Sequence, residues 1–345
     1  MENQFNRRRF VQAIGTAGLS AALKKIAQGA ETSRDDGERR YRFVQIDVFT
    51  SRRLEGNALA VVPDAGGLSD EEMQALARET NLQETTFVFP RSAATEREQG
   101  VKVRIFVPNE EIPFGGHPTL GTAMVLRNLQ LATSNSEVRN ESHIGEIVLD
   151  LQVGKIPVTF NEDSSGRTFG EMHQVDPIFG PLHERKQIAS LLDLSSDDIC
   201  ADVPIQTLST GLPFIIVPIK SLATLERLTL APPRAYEYLR QNNLPKVADY
   251  YYVTRDTGDA MITLRARAIY PEGEDPATGS AAGSTAAWMV RHGIMQSDKT
   301  AHILQGVEIK RPSHIFVRAS KDGETVKNVR VGGHAVQVME GTISL

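Results

Sequence analysis

Short segments with alternating apolar and polar residues recur along the chain, and such alternation is typical of half-buried β-strands. Residues 43–49 alternate in this way, Gly56 and Asn57 predict a turn, and residues 58–62 predict a strand that returns beside the first. Further strands are predicted at residues 87–89, 101–107, 261–270 and 335–339. We therefore expect a chain rich in sheet.

Helical patterns lie between these strands. Ser69, followed directly by three acidic residues, predicts the N-cap of a helix whose apolar face carries Met73, Leu76 and Ala77. Two longer segments rich in alanine and other apolar residues follow glycine loops in the two halves of the chain and predict two further helices. Trp288, in the second of these, is expected to be a core residue.

The two glycine loops belong to segments that resemble each other across half the length of the chain. Residues 104–123 read RIFVPNEEIPFGGHPTLGTA, and residues 267–286 read RAIYPEGEDPATGSAAGSTA. Each segment contains a strand, a proline, an acidic turn, a glycine loop and a helix start, which predicts two copies of one unit that form two facing lobes. An alignment without gaps pairs Arg104 with Arg267, Glu111 with Glu274, Gly116 with Gly279 and His117 with Ser280.

The glycine loops also predict a binding site for an anion. A helix that starts in such a loop exposes unpaired backbone N–H groups and the positive end of its dipole. Two facing copies would form one site, with N–H groups near Gly116 and Gly279 and hydroxyls from Thr278 and Ser280. A small-molecule carboxylate is the expected ligand. The alternative is that both loops are ordinary strand-to-helix turns that use glycine for backbone freedom alone.

Composition sets the broad class of the protein. The 345 residues suffice for two domains with separate cores. The net charge is −5, with acids and bases mixed throughout, so the chain shows no electrostatic footprint for nucleic acid. Cys200 is the single cysteine, which excludes an intramolecular disulfide and any two-thiol mechanism. The eight histidines are scattered without ligand spacing, so we predict no metal site.

The N-terminal residues differ in character from the rest and predict an export signal. Three consecutive arginines at residues 7–9 precede a short apolar run at 13–23, which is too short for a stable membrane anchor. The arginines resemble a twin-arginine leader, the type that exports folded proteins. We predict a signal peptide at residues 1–30, a polar linker at 31–40 and a periplasmic or exported location. The alternative is a frayed or amphipathic helix in a cytoplasmic protein.

Four motifs in a fixed order carry a resemblance to a known family. They read DVFT…GNALAVV from residue 47, NLQETTFV from residue 81, PFGGHPTLGTA from residue 113 and EDPATGSAA from residue 274. Together they resemble the PhzF, or phenazine-biosynthesis-like, family from about residue 43 to the C terminus. The resemblance implies a diaminopimelate-epimerase-like α+β fold, with two pseudo-symmetric lobes, each a curled mixed sheet around a central helix. It also implies a homodimer, and an isomerase that works without a metal or an organic cofactor in the cleft between the lobes.

The resemblance further implies which residues are catalytic. Some members of the wider superfamily use one cysteine from each glycine loop, and this chain has none there. The family's alternative is a single glutamate that shuttles a proton, and its motif position falls on Glu84. The resemblance places His117, Asp275 and Ser280 around the substrate.

The local sequence favours the same role for Glu84. A carboxyl flanked by Leu82 and Phe87 at a strand entrance is expected to be partly desolvated, which raises its pKa and lets it take and give a proton. His117 is expected to protonate less readily at a helix start, although a capping or packing role is the alternative. Asp275 could orient the substrate or form an Asx-turn, and Asp47 and Asn57 are pocket candidates for which a turn-forming role is the alternative.

The sequence also predicts the limits of the two lobes and a function. We predict an N-terminal lobe at residues 41–174, with residues 330–345 as a candidate return to it, and a C-terminal lobe at 175–329. The expected function is an isomerase that moves a proton within a small carboxylate-bearing metabolite. The alternatives are a lyase or hydratase that uses the same glutamate, and a binding protein that has lost the chemistry.

Overall fold

The structure is a computed structural model, which describes residues 38–133, 145–242, 244, 249–271 and 273–345. The predicted signal peptide at 1–30 and most of the predicted linker lie outside the described residues. Residues Tyr41–Ile343 form one compact unit. Within the described ranges, 18 strands join through their pairings into one mixed sheet.

The strands are β1 (Arg40–Val48), β2 (Asn57–Val62), β3 (Glu84–Phe89), β4 (Val101–Phe106), β5 (Glu111–Ile112), β6 (Glu146–Leu151), β7 (Gly154–Glu162), β8 (Thr168–His173), β9 (Ile178–His183), β10 (Ile205–Ser209), β11 (Pro213–Pro218), β12 (Asp249–Thr254), β13 (Leu264–Tyr270), β14 (Gly273–Asp275), β15 (Ala301–Gln305), β16 (Ser313–Asp322), β17 (Thr325–Gly333) and β18 (Ala335–Ser344). The helices are α1 (Asp70–Thr80), α2 (Ala93–Gln99), α3 (Gly116–Thr133), α4 (Arg185–Leu191), α5 (Leu222–Glu226), α6 (Pro233–Gln241) and α7 (Gly279–Arg291). In the described part of the chain, every helix is too short or too polar to cross a membrane.

The opening hairpin and the first helix form as predicted. β1 and β2 pair antiparallel, with Val44 opposite Val61. Ser69 caps α1 in a capping box with Glu72, and the buried face of the helix is Met73, Leu76 and Ala77. The cap satisfies N–H groups that the first helical turn leaves unpaired, while the apolar face packs on the sheet.

The two halves of the chain repeat one order of strand pairing. β2 pairs parallel with β3, β3 antiparallel with β4, and β4 antiparallel with β5 and parallel with β6. In the second half, β11 pairs parallel with β12, β12 antiparallel with β13, and β13 antiparallel with β14 and parallel with β15. The repeat found between the glycine segments therefore extends over many strands.

The outer strands complete the sheet and link the halves. β8 pairs with β17, β9 pairs with β10, and β18 pairs with β1. The C-terminal strand thus adds to strands from the start of the chain and is longer than the predicted 335–339. The predicted division between residues 174 and 175 falls in the connection from β8 to β9, and the lobe limits themselves stay a prediction.

One long helix is packed within the strands of each half. α3 packs against β2, β3, β6, β7 and β8, whereas α7 packs against β10, β11, β16 and β17. Residues 279–290 of α7 are all buried, including Trp288, whose Nε1 donates to Pro204 O at 3.0 Å. A helix enclosed by strands needs apolar or small residues on every face, which accounts for its composition. The core position expected for Trp288 is confirmed.

The strand predicted at residues 261–270 starts later than expected. β13 begins at Leu264, while Met261 lies in a turn and is 82% exposed. The side chain of Asp259 accepts a hydrogen bond from Met261 N at 2.8 Å, which holds the turn. The prediction was wrong for residues 261–263 because their apolar side chains were interpreted as strand residues.

Candidate active site

The two glycine loops meet where α3 and α7 begin. Gly116 and Gly279 are the first residues of these helices. A Cβ atom on Gly116 would lie 2.6 Å from Gly279 Cα and 2.6 Å from Ser280 N, so a side chain does not fit between the loops. Two helix N termini, each with unpaired N–H groups and a positive dipole end, therefore face one point.

The N terminus of α7 has no side-chain cap in the described structure. Thr278 occupies the N-cap position, but its Oγ1 donates to Asp275 Oδ2 at 2.6 Å. The first turn carries no acidic residue, and the bond from Ala282 N to Thr278 O, at 2.9 Å, is the start of the helical pattern. The N–H groups of the first turn, including those of Gly279 and Ser280, have no partner within the helix.

Asn57 joins the first half of the chain to the loop before α7. It lies at the start of β2, directly after Gly56, whose φ of +67° turns the chain. Its Nδ2 donates to Asp275 Oδ1 at 2.6 Å and lies 3.0 Å from His117 Nδ1 and 3.1 Å from Ala277 O. This buried amide therefore links two of the predicted catalytic side chains.

Gln305 holds the other side of the Asp275 loop. Its Nε2 donates to Asp275 O at 2.8 Å and to Thr278 Oγ1 at 2.9 Å. Its Oε1 accepts from Thr278 N at 3.1 Å and from the hydroxyl of Tyr251 at 2.9 Å. Burial raises the pKa of Asp275 to about 6, although its bonds with Thr278, Ala277 N and Asn57 favour the carboxylate.

Glu84 is the first residue of β3, which begins three residues earlier than the predicted strand. It lies opposite Leu59 in the parallel pairing of β2 with β3. Its side chain is 15% exposed. Burial, and then the nearby charge of Asp275, raise the pKa of Glu84 well above its ordinary value. The elevated pKa expected from the sequence is therefore present.

His117 faces Glu84 across a short distance. Its Nε2 lies 3.1 Å from Glu84 Oε2, and burial lowers the pKa of His117 to about 3, so the ring is neutral near pH 7. Although these two atoms are close, they are not aligned for a hydrogen bond with each other. Neither has another hydrogen-bond partner among the residues that the structure describes. Buried polar atoms are normally satisfied, so a ligand atom is the natural partner for both.

These groups line one cavity of about 1010 Å³. Of the residues predicted from the sequence, the lining includes Glu84, Gly116, His117, Asp275, Thr278, Gly279 and Ser280. Asn57 lies behind this wall, where it positions His117 and Asp275 through the bonds given above. The cavity therefore brings together residues from β3, the start of α3, and β14 with the start of α7.

Asp47 lies away from the cavity lining. Its Oδ2 accepts from Leu54 N at 2.7 Å, and its Oδ1 accepts from Arg311 Nη2 at 2.8 Å. Arg311 Nε also donates to Gly56 O at 2.7 Å. Asp47 thus holds the turn that leads into Asn57, and the structure gives it contacts with this turn in place of contacts with the cavity.

Sequence reasoning missed three residues of the site. Gln305 carries no motif, and Tyr270 and Asp249 line the cavity. Burial raises the pKa of the Tyr270 phenol, and the charges of Asp275, Asp249 and Glu84 raise it further. The strand pairing indicates Asp249, because it begins β12 opposite Phe214 as Glu84 begins β3 opposite Leu59. In the described ranges, no group of three or more His, Cys, Asp or Glu side chains is arranged to hold a metal ion.

Comparison with known proteins identifies the family. A family model described as phenazine biosynthesis-like protein matches residues 46–341. The chain belongs to this family. The resemblance inferred from the four motifs is thereby confirmed, and the phenazine biosynthesis-like match spans both glycine loops and Glu84.

This chain aligns with two curated relatives over nearly the whole length of each relative. An uncharacterized isomerase of Mesorhizobium japonicum is 33% identical over 310 residues, with 87% of this chain and 98% of the relative covered. A trans-2,3-dihydro-3-hydroxyanthranilate isomerase of Pseudomonas aeruginosa is 32% identical over 301 residues, with the same shares covered. The chain is an isomerase of this family, as expected.

A solved structure supports the fold. The phenazine biosynthesis protein of Bacillus anthracis, of the PhzF family, superposes with a TM-score of 0.75 at 25% identity and covers 88% of this chain and 99% of its own. The predicted fold class, a mixed α+β fold with curled sheet around central helices, is confirmed.

Proposed function

We propose that this family member moves a proton within a small carboxylate-bearing metabolite, without a cofactor, and that Glu84 is the general acid and base. The observation that carries the proposal is the pair Glu84 Oε2 and His117 Nε2. Both atoms are buried, lie 3.1 Å apart at the cavity wall and lack an aligned hydrogen-bond partner among the described residues. A reacting ligand placed between them would satisfy both.

The protonation states of the two side chains support this role. Asn57 Nδ2 lies 3.0 Å from His117 Nδ1, and a donated hydrogen bond there leaves the proton of the neutral ring on Nε2, on the side of Glu84. The raised pKa of Glu84 brings its two protonation states closer in free energy near neutral pH. Glu84 is therefore suited to take a proton and return it, with His117 as a neutral hydrogen-bond donor.

The helix ends supply the complementary charge. The N termini of α3 and α7 meet at Gly116 and Gly279, and both glycines line the cavity. Backbone N–H groups and positive dipole ends favour a carboxylate, and they also stabilise negative charge that develops during proton removal. A substrate carboxylate at this point places its neighbouring carbons within the same cavity as Glu84.

The proposed reaction conserves atoms and charge. The Glu84 carboxylate removes a proton from a carbon next to the activated system, and the C–H electron pair shifts into that system. Protonated Glu84 then returns the proton to another carbon of the same molecule, which regenerates the carboxylate. The product is an isomer, and Asp275, held by Asn57 and Thr278, is placed to accept a hydrogen bond from a substrate amine or hydroxyl.

The first substrate to test is the compound named for the Pseudomonas aeruginosa relative, trans-2,3-dihydro-3-hydroxyanthranilate. It carries a carboxylate, as the proposed site requires. Export and dimerisation, expected from the sequence, stay predictions.

Product analysis by NMR in deuterated water tests the proposal. We expect an isomer of the substrate, with deuterium at the carbon that receives the proton to the extent that Glu84 exchanges with solvent. Release of water or ammonia would instead identify a lyase or hydratase. Binding with neither isomerisation nor C–H exchange, for this compound and related amino carboxylates, would overturn the proposal in favour of a binding protein.

A further inference from the structure

We propose that Gln174 is a positioning residue for the anion site at the two helix starts, and that it aims the N–H group of Ser280 at the bound carboxylate. The inference rests on the proposed function, because the anion is the substrate carboxylate proposed there. Gln174 acts through the backbone of α7, without contact with the substrate. A residue from the junction of the two halves of the chain thereby sets the geometry of a site that both halves build.

Gln174 connects that junction to the first residue of α7. It follows β8 directly, at the predicted division between the lobes, and its backbone N–H donates to Val329 O in β17 at 3.0 Å. The residue is 6% exposed. Its side-chain Nε2 donates to Gly279 O at 3.0 Å. Since its backbone and its side chain are both held by hydrogen bonds, Gln174 fixes the start of α7 relative to β8 and β17.

The carbonyl bonded by Gln174 belongs to the peptide group whose N–H is that of Ser280. A trans peptide is planar, so its C=O and N–H bonds point in opposite directions. A donor fixed on Gly279 O therefore directs the Ser280 N–H away from Gln174. Gly279 and Ser280 line the cavity, and Ser280 N lies 2.6 Å from the position that a Cβ atom on Gly116 would take. The hydrogen bond also polarises the peptide group and strengthens its N–H as a donor.

Thr210 binds the other end of the Gln174 amide. Gly279 O can only accept a hydrogen bond, so Nε2 faces it, and Oε1 is left to accept from the Thr210 hydroxyl at 2.7 Å. The same hydroxyl lies 3.2 Å from Ser280 O and 3.3 Å from Ser284 Oγ. Thr210 and Ser284 are fully buried. A buried polar network therefore holds the amide at the start of α7.

Gly283 gives the Gln174 amide its space on α7. A Cβ atom on Gly283 would lie 2.6 Å from Gln174 Cδ and closer still to its Oε1. Glycine is less favourable than alanine within a helix, and α7 has alanine at four other positions. The contact with Gln174 accounts for the glycine at this position. It also supplies a second variant that displaces the amide without a change at Gln174 itself.

Calorimetric titration of the full chain with benzoate tests the positioning role. Benzoate supplies a carboxylate on a single ring, and benzamide is the uncharged probe of the same shape. We expect Gln174→Ala to bind benzoate about tenfold more weakly than the wild type, with the affinity for benzamide unchanged. Unchanged benzoate affinity in folded Gln174→Ala, an equal loss for benzamide, or no binding of benzoate to the wild type would overturn the proposal.

Gln206→Ala is the matched control, which separates positioning from loss of stability. Gln206 is also buried, its Nε2 donates to Gly180 O at 3.1 Å, and its Oε1 lies 2.9 Å from His292 Nε2. His292 follows the last residue of α7, so the control contacts the other end of the same helix. Urea unfolding should show a similar loss of stability in both variants, whereas only Gln174→Ala should lose benzoate affinity. An equal loss of benzoate affinity in Gln206→Ala would contradict the positioning role.

Gly283→Ala and Thr210→Val test the same contact without a change at Gln174. Gly283→Ala alone should weaken benzoate binding, because its methyl group displaces the amide. Added to Gln174→Ala, it should have little further effect, since the space is then free. Thr210→Val keeps the shape, removes the donor to Oε1 and should also weaken benzoate binding, which keeps the test valid if Gln174→Ala does not fold. Losses that multiply in the double variant, or wild-type benzoate affinity in folded Thr210→Val, would contradict the assignment.

The outcome is separable from that of the proposed function. Benzoate affinity is measured without turnover, and Glu84→Gln should show the same dependence of this affinity on Gln174. Loss of turnover in Glu84→Gln, together with wild-type benzoate affinity in Gln174→Ala, rejects the positioning role alone. Benzoate binding that depends on Gln174, in a protein whose turnover ignores Glu84, rejects the proposed role of Glu84 alone.

Discussion

Gly116 and Gly279 are in backbone contact, so that a Cβ atom on Gly116 would lie 2.6 Å from Gly279 Cα. The two residues are equivalent in the internal repeat and begin the two long helices. A duplicated strand–loop–helix unit has therefore produced one site in which both copies present the same end of a helix. This contact fixes the distance between the two sources of positive potential that the substrate carboxylate is proposed to use.

Replacement of Gly116 by alanine should weaken both the fold and substrate binding. The added methyl group meets backbone atoms, which cannot rotate away, and such overpacking costs about 1–3 kcal/mol. We expect a lower free energy of unfolding in urea and a raised KM for a carboxylate substrate. Gly341→Ala is the control, because a Cβ atom there meets no atom within 4 Å. Equal effects in the two variants would contradict the tight contact.

Replacement of Asn57 by alanine should affect turnover more than binding. The change removes the donor to Asp275 Oδ1 and His117 Nδ1, and an unpaired buried polar group costs about 1–3 kcal/mol. Because Asn57 positions these side chains from behind the cavity wall, kcat should fall by about tenfold or more while KM changes little. Steady-state kinetics with both parameters resolved checks this. A variant with raised KM and unchanged kcat would contradict the positioning role.

The pH dependence of activity should reflect the raised pKa of Glu84. The carboxylate is the proposed base, so kcat/KM should rise with pH through a pKa above the ordinary glutamate range. An acidic limb at the ordinary glutamate pKa would argue against the buried environment of Glu84.

The same shift has a consequence for stability. Folded protein holds the Glu84 proton at pH values where the unfolded chain has lost it, so this group makes the free energy of unfolding fall as pH rises from about 4.3 through the raised pKa. Glu84→Gln should remove that part of the fall, measured by urea unfolding at several pH values. Identical pH slopes in wild type and variant would contradict the shift.

Much of the fold could be predicted because the two copies keep the same residues where contacts demand them. Arg104 Nη2 lies 2.5 Å from Glu111 Oε2, and Arg267 Nη2 lies 2.6 Å from Glu274 Oε2, at equivalent positions of the repeat. The glycines at the helix starts are kept because a side chain does not fit there. Such pairs are visible in an ungapped alignment, so the duplication and the meeting of the loops were predictable.

Other parts of the site depend on contacts that leave no local pattern. The ungapped alignment places Glu84 opposite Val247, and only the strand pairing shows that Asp249 is the equivalent residue. Gln305 contacts the Asp275 loop from a strand with no polar motif. Asp47 resembles a pocket residue in sequence, but its partner Arg311 is far along the chain. Long-range pairing decides all three positions.

The N-terminal residues lead to a prediction about location. Arg8→Lys combined with Arg9→Lys keeps the charge and removes the consecutive arginines on which a twin-arginine leader depends. We expect wild-type protein in the exported fraction with a new N terminus near residue 30, and the double variant retained in the cytoplasm. Arg39→Lys combined with Arg40→Lys, a second arginine pair outside the predicted signal, should be exported normally. An intact Met1 in the cytoplasmic fraction of wild-type cells would contradict the prediction.

Turnover of Glu84→Gln is the most direct test of the proposed proton shuttle, once a substrate is in hand. The variant keeps the size and hydrogen-bonding shape of the side chain and removes its ability to carry a proton. We predict that kcat falls by about a hundredfold to ten-thousandfold, with the protein folded and substrate affinity largely kept. Glu79→Gln, at an exposed position of α1, should match the wild type. An unchanged kcat in Glu84→Gln would contradict the role of Glu84.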